Sequence, residues 1–99
     1  MNHKDAIDCL KQALSGWETD RMNAELRTDS SIAHERGQCI GRILSYQLAL
    51  NTGVTDRYPV RTIVTWAEKV KTERACLRLL ARGQSAKEAR KNAYLEAIN

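Results

Sequence analysis

The side chains able to do covalent or acid–base chemistry are few in this chain and lie far apart. Three cysteines (Cys9, Cys39, Cys76) and two histidines (His3, His34) are the candidates for nucleophilic or metal-binding work. A nucleophile needs a base beside it, and a zinc site needs ligands at short spacings. Cys39 and His34 lie in one helical stretch at a spacing that turns them about 140° apart around the axis, so they do not face each other. Glu35 points away from His34 as well. No C-x-x-C pair occurs, and neither histidine stands at a zinc spacing from a cysteine. The three cysteines read as reduced, mostly buried thiols of a cytoplasmic protein. Asp5 and Asp8 open the first helix, where negative charge favours the helix dipole. The glycines, at 16, 37, 41, 53 and 83, form no phosphate-cradling loop. These residues predict no catalytic set, no metal and no cofactor.

The chemistry that remains is recognition. The net charge of +4 is unevenly spread: residues 1–50 hold six Lys/Arg and seven Asp/Glu, residues 51–99 ten and five. The halves therefore carry −1 and +5, an asymmetry that points to an anionic partner, nucleic acid or an acidic protein face. Lys71, Arg74, Arg78 and Arg82 share one helical row, and Lys87, Arg90 and Lys91 follow. Cations so spaced track a phosphate backbone, or form a solvated face. The segment Leu80–Ala89 is also similar to a helix-turn-helix around its turn glycine, which would present Lys87, Arg90 and Lys91 to DNA. Arg74 differs, because it falls beside the apolar stripe of its helix. It is predicted to be partly buried and paired with a carboxylate of the first or second helix. Tyr58, between Arg57 and Arg61, is the best aromatic candidate for a surface contact, since Tyr and Arg dominate binding hot spots. Trp17 and Trp66 read as core anchors.

Helices must position these groups. Phe is absent, β-branched residues cluster only at 60–65, and helical periodicity governs the rest. The first helix is predicted over about 3–27, with Ile7, Leu10, Leu14, Trp17, Arg21 and Ala24 in one stripe and a kink allowed at Gly16. Thr28–Ser31 is rich in N-cap residues and makes a tight connection. The second helix spans about 32–51, with Ile32, Cys39, Ile43 and Leu50 on its bulky face, Ile40 and Leu44 on the flank of that face, and Gly53 as stop. Tyr58-Pro59 opens a third helix, whose inner side is Ile63, Trp66, Ala67, Val70, Leu77, Leu80 and Ala81, ending at Gly83. Ser85-Ala86-Lys87-Glu88 is a capping box and starts a short fourth helix to about Ala97. The sum is an all-α fold in one domain of 99 residues, a small antiparallel helical bundle of three long helices and a short C-terminal fourth. About 65% of the surface of such a chain is buried on folding, enough for one core.

The second helix carries a further signal. Ala33, Gly37, Gly41, Ser45 and Ala49 recur every four residues, one of the ridges by which helices pack. Glycine in a helix costs about 1 kcal/mol against alanine, so two imply a compensating gain. Filled from within the chain, the row makes this helix the central one. Left open, it receives a helix from a second copy, as a homodimer, or from another protein.

No run of apolar residues exceeds three, which argues against a membrane helix and a secretory signal. The sequence thus predicts a non-enzymatic, cytoplasmic helical protein that binds another protein, an adaptor or inhibitor of a nucleic-acid-processing complex. The alternatives are direct DNA or RNA binding through residues 71–91, and a structural homo-oligomer using the small-residue row.

Overall fold

A computed structural model describes residues 1–98, which are mostly helical and contain no strand. The helices are α1 (His3–Leu14), α2 (Trp17–Glu25), α3 (Ala33–Thr52), α4 (Val60–Ala81) and α5 (Ala86–Ile98). One-turn 3-10 segments at Ser30–Ile32 and Val54–Arg57 lead into α3 and out of it. Taken with α1 and α2 as one broken rod, the order is up, down, up, down. Arg42 meets Glu73 and Tyr46 meets Trp66 across antiparallel α3 and α4. Asp20 meets Arg74, and Arg27 meets Leu80, along the parallel first rod.

The first rod is where local reading and structure part. The apolar stripe runs through Gly16 in phase, but the helix does not. Ser15 is extended (ψ 119°) and Gly16 is left-handed (φ 82°), so α1 stops and α2 starts afresh at Trp17. A glycine adopts that φ without steric cost. The break leaves carbonyls without helical partners, and Arg74 from α4 supplies the donors. Its Nη1 donates to Ala13 O at 2.7 Å and Ser15 O at 2.8 Å. A long-range partner thus holds open what the local sequence would have joined.

The central helix is α4, not the glycine-bearing α3. The main helix–helix contacts of α1, α2, α3 and α5 are all with α4. Its buried positions run around most of its circumference: Ile63, Ala67, Val70, Glu73, Ala75, Cys76, Leu77, Leu79 and Leu80. Leu10 and Leu14 of α1, Trp17 of α2, and Ile32, Cys39 and Ile43 at and along α3 complete the core. Ala89 and Ala93 of α5, both buried, let that short helix lie close on α4 beside Ala75. Trp17 is a core anchor, whereas Trp66 is only half-buried, packed at the core's edge.

The punctuation is local and lies where the residues place it. Gly53 and Gly83 are left-handed, at φ 77° and 103°. Ser85 Oγ accepts from Glu88 N–H, while Glu88 Oε1 accepts from Ser85 N–H, each at 3.2 Å. That backbone N–H holds the Glu88 carboxyl below its usual value. The box therefore adds stability above the unfolded carboxyl pKa and loses it as pH falls through the lowered folded value. Ser85→Ala is expected to cost about 1 kcal/mol in urea unfolding. An NMR titration should find the Glu88 midpoint below that of an unpaired glutamate.

Candidate binding surfaces

The small-residue row of α3 faces solvent. Ala33, Gly37, Gly41 and Ser45 are exposed and Ala49 is half-buried. A Cβ built on Gly37 or Gly41 meets nothing within 4 Å, so no helix of this chain fills the row. The intramolecular packing expected of it does not occur, because α4 already presents apolar residues to every neighbour. Two leucines continue the row's face toward the C-terminal end of α3. Leu44 is 42% exposed and Leu48 63%. Residues 43–55 contain no charged side chain. Arg42, at the edge of the trough, is engaged with Glu73 at 3.0 Å. The result is a charge-poor face along a helix of about 30 Å, flat at one end, where Arg42 stands at its edge, and knobbed and uncharged at the other.

The basic row of α4 and α5 divides by environment. Lys71, Arg82, Lys87 and Lys91 are exposed. Arg78 is exposed too, but its Nε donates to Asp20 Oδ1 at 3.2 Å. The buried Asp20 takes Arg74 Nε on its other oxygen at 2.7 Å, the pairing expected of Arg74. Arg90 is turned inward. Its Nε donates to Glu35 at 2.7 Å, Nη1 and Nη2 both donate to Glu73, and Nη2 lies 3.2 Å from Cys39 Sγ. Burial works against its charge, but the bonds to Glu73 and Glu35 outweigh it and hold the guanidinium firmly protonated. The neighbouring Cys76 thiol and burial push the Cys39 thiol up, which favours its protonated form. The cluster of Glu35, Glu73, Arg42 and Arg90 is balanced charge for charge and ties α3, α4 and α5 together.

Arg57, Tyr58 and Arg61 lie at the opposite end of α4 from Arg82 and Lys87, since that helix spans about 33 Å. They belong to a second feature, an aromatic run that the sequence does not announce. The Tyr58 ring packs on Trp66 with centroids 4.8 Å apart, and Trp66 on Tyr46 at 5.5 Å. His3 Nε2 lies 2.7 Å from Tyr58 O and fixes the loop to α1. Beyond Tyr46 lies a cavity of about 300 Å³ lined by Arg42, Tyr46, Lys69, Thr72, Glu73 and Tyr94. Tyr94 has the Arg90 guanidinium over its ring at 5.8 Å. These rings come from three helices and one loop, and no spacing in the chain brings them together.

No protein family, curated protein or solved structure matches the chain. Its surfaces are therefore read from their own chemistry. No group of three or more His, Cys, Asp or Glu side chains is placed to hold a metal ion among the described residues. No helix there is long and apolar enough to cross a membrane.

Proposed function

We propose that this protein is a non-enzymatic docking module that binds another protein through the exposed face of α3. The observation that carries the reading is a charge-poor helix face, solvent-facing yet built with two bare glycines and two exposed leucines. Charge is depleted at the cores of protein interfaces, and a bare backbone admits a close helix. The two helical glycines weaken α3 and gain nothing inside this chain, which a docked helix would explain. Its service to a nucleic-acid-processing complex, as adaptor or inhibitor, is part of the same proposal and is supported by the +5 charge of residues 51–99.

A second copy is the alternative occupant, favoured by register. In an antiparallel pair of α3 helices with its two-fold axis between residues 42 and 43, Leu44 falls opposite Gly41 of the second copy and Leu48 opposite Gly37. Each knob then meets a hole, and the two Arg42 side chains flank the axis, each held by Glu73 of its own copy.

Gly41→Leu tests both. With open space around the built Cβ, the substitution is expected to stabilise the monomer by about 1 kcal/mol through helix propensity. It is expected to abolish docking by overpacking the seam. Sedimentation over a range of concentrations reads self-association, and the pair Gly41→Leu/Leu44→Ala should restore it by exchanging knob and hole. For a different partner, capture by the tagged chain should be lost with Leu48→Glu. A chain that stays monomeric and captures nothing sensitive to Leu48→Glu would sink the reading.

A further inference from the structure

The aromatic run and its cavity share only Arg42 with the edge of the α3 trough, and none of their residues belongs to the small-residue row. We propose that the groove between α3, α4 and α5, from Tyr58 through Trp66 and Tyr46 to Tyr94, binds single-stranded nucleic acid. Trp66 packs on Tyr58 at one side and Tyr46 at the other, and Tyr58 is 42% exposed at one end of the run. Across the cavity stands Tyr94, 55% exposed. Structural packing accounts for the inner edges of Tyr46 and Trp66, but not for two tyrosines left open at either end.

The cations stand where phosphates would follow. Arg57 and Arg61 flank Tyr58, and Lys69 lies one turn beyond Trp66 on α4. These three form no salt bridge among the described residues. Arg42 gives only Nη1 to Glu73 and leaves half of its side chain in solvent at the cavity. Glu73 is the one carboxylate lining the cavity, and Arg42 and Arg90 neutralise it. The rings are tilted against each other, by 38° and 60°, so each offers its own edge or face rather than one plane. An open tyrosine beside an unpaired lysine is the pairing a nucleotide presents in one unit, a base joined to a phosphate. Stacking on aromatic faces tolerates any base, with the backbone held by charge. A duplex keeps its bases inside and offers this strip nothing to stack. The site differs from the C-terminal cation row, where Tyr94 is the one ring nearby and Arg90 is committed inward.

The test is fluorescence anisotropy with a labelled oligothymidylate of about 15 nucleotides, at about 50 and about 200 mM salt, beside a duplex of equal length. Single strand should bind at low salt, weaken steeply at high salt, and bind far better than duplex. Tyr94→Ala, at an exposed position, should weaken binding about tenfold. Lys69→Glu should weaken it further and lower the salt slope, with both variants folded by circular dichroism. Trp66 emission should fall on binding. No binding at low salt overturns the proposal, and so does equal affinity for duplex. Binding that survives Tyr94→Ala and Lys69→Glu but is lost with Lys87→Glu/Lys91→Glu also overturns it and moves the site to the C-terminal row. Oligoglutamate bound as tightly as the oligonucleotide overturns it too, leaving a surface for acidic protein. Loss of α3 docking affects none of these outcomes.

Discussion

Arg74→Met is expected to destabilise the protein by about 3 kcal/mol or more, a large share of the 5–15 kcal/mol that holds a domain folded. One guanidinium does three things here. It neutralises Asp20, whose carboxylate is 8% exposed, and it supplies donors to Ala13 O and Ser15 O where α1 breaks. Methionine fills much of the same space but donates nothing. Both carbonyls lose their partner, and Asp20 keeps only Arg78, whose side chain is 45% exposed. Arg74→Lys should fall between the two, because a single ammonium cannot reach acceptors arranged for a fork. Thermal unfolding should show the methionine variant melting about 15 °C or more below the parent. A shift of only a few degrees would mean that the break at Gly16 holds itself open.

Arg90→Leu is the companion experiment on the other side of α4. It removes the cation shared by Glu35 and Glu73, whose side chains are 17% and 6% exposed, and leaves Glu73 with Arg42 and Glu35 with no ion pair among the described residues. Breaking such a pair from one side costs about 3–5 kcal/mol, since the remaining charge stays buried. Lys87→Ala and Lys91→Ala, on the same short helix, should each lie within about 0.5 kcal/mol of the parent. Urea unfolding of the three variants separates a cation that builds the fold from two that only decorate it. Equal small effects at all three positions would return Arg90 to the solvent-facing row.

What could be read from the chain was what neighbouring residues decide. Gly53, Gly83 and the Ser85–Glu88 box act within one turn, so their positions followed from residue type. The inner faces of α3 and α4 followed from spacing. Arg74 was readable as a buried, paired cation because it stands beside an apolar stripe, where a lone charge is untenable. Gly16 misled because Leu14, Trp17 and Ala24 keep helical phase across it. The deciding partner, Arg74, is 58 residues away from it. The row at Ala33–Ala49 was visible as a surface built for close approach, but sequence cannot say whether approach comes from inside or outside. That turned on α4 having apolar residues nearly all round. Arg90 looked like Lys87 and Lys91 because its partners, Glu35 and Glu73, lie on other helices. The aromatic groove was illegible for the same reason: Tyr46, Tyr58, Trp66 and Tyr94 share no helix face.

The central place of α4 sets an order of events during synthesis. Chain emerges from the ribosome N-terminus first, and the helix against which α1, α2 and α3 pack is not complete until Ala81. Until then Leu10, Leu14, Trp17 and Ile43 have no common surface to cover them. The nascent protein therefore passes through a stage with its future core open, the stage at which exposed apolar surface most invites aggregation or chaperone capture. Arg74 and Glu73 arrive together late in that interval, so the charges that fix the α1–α2 break and join α3 to α5 come with the helix that closes the core.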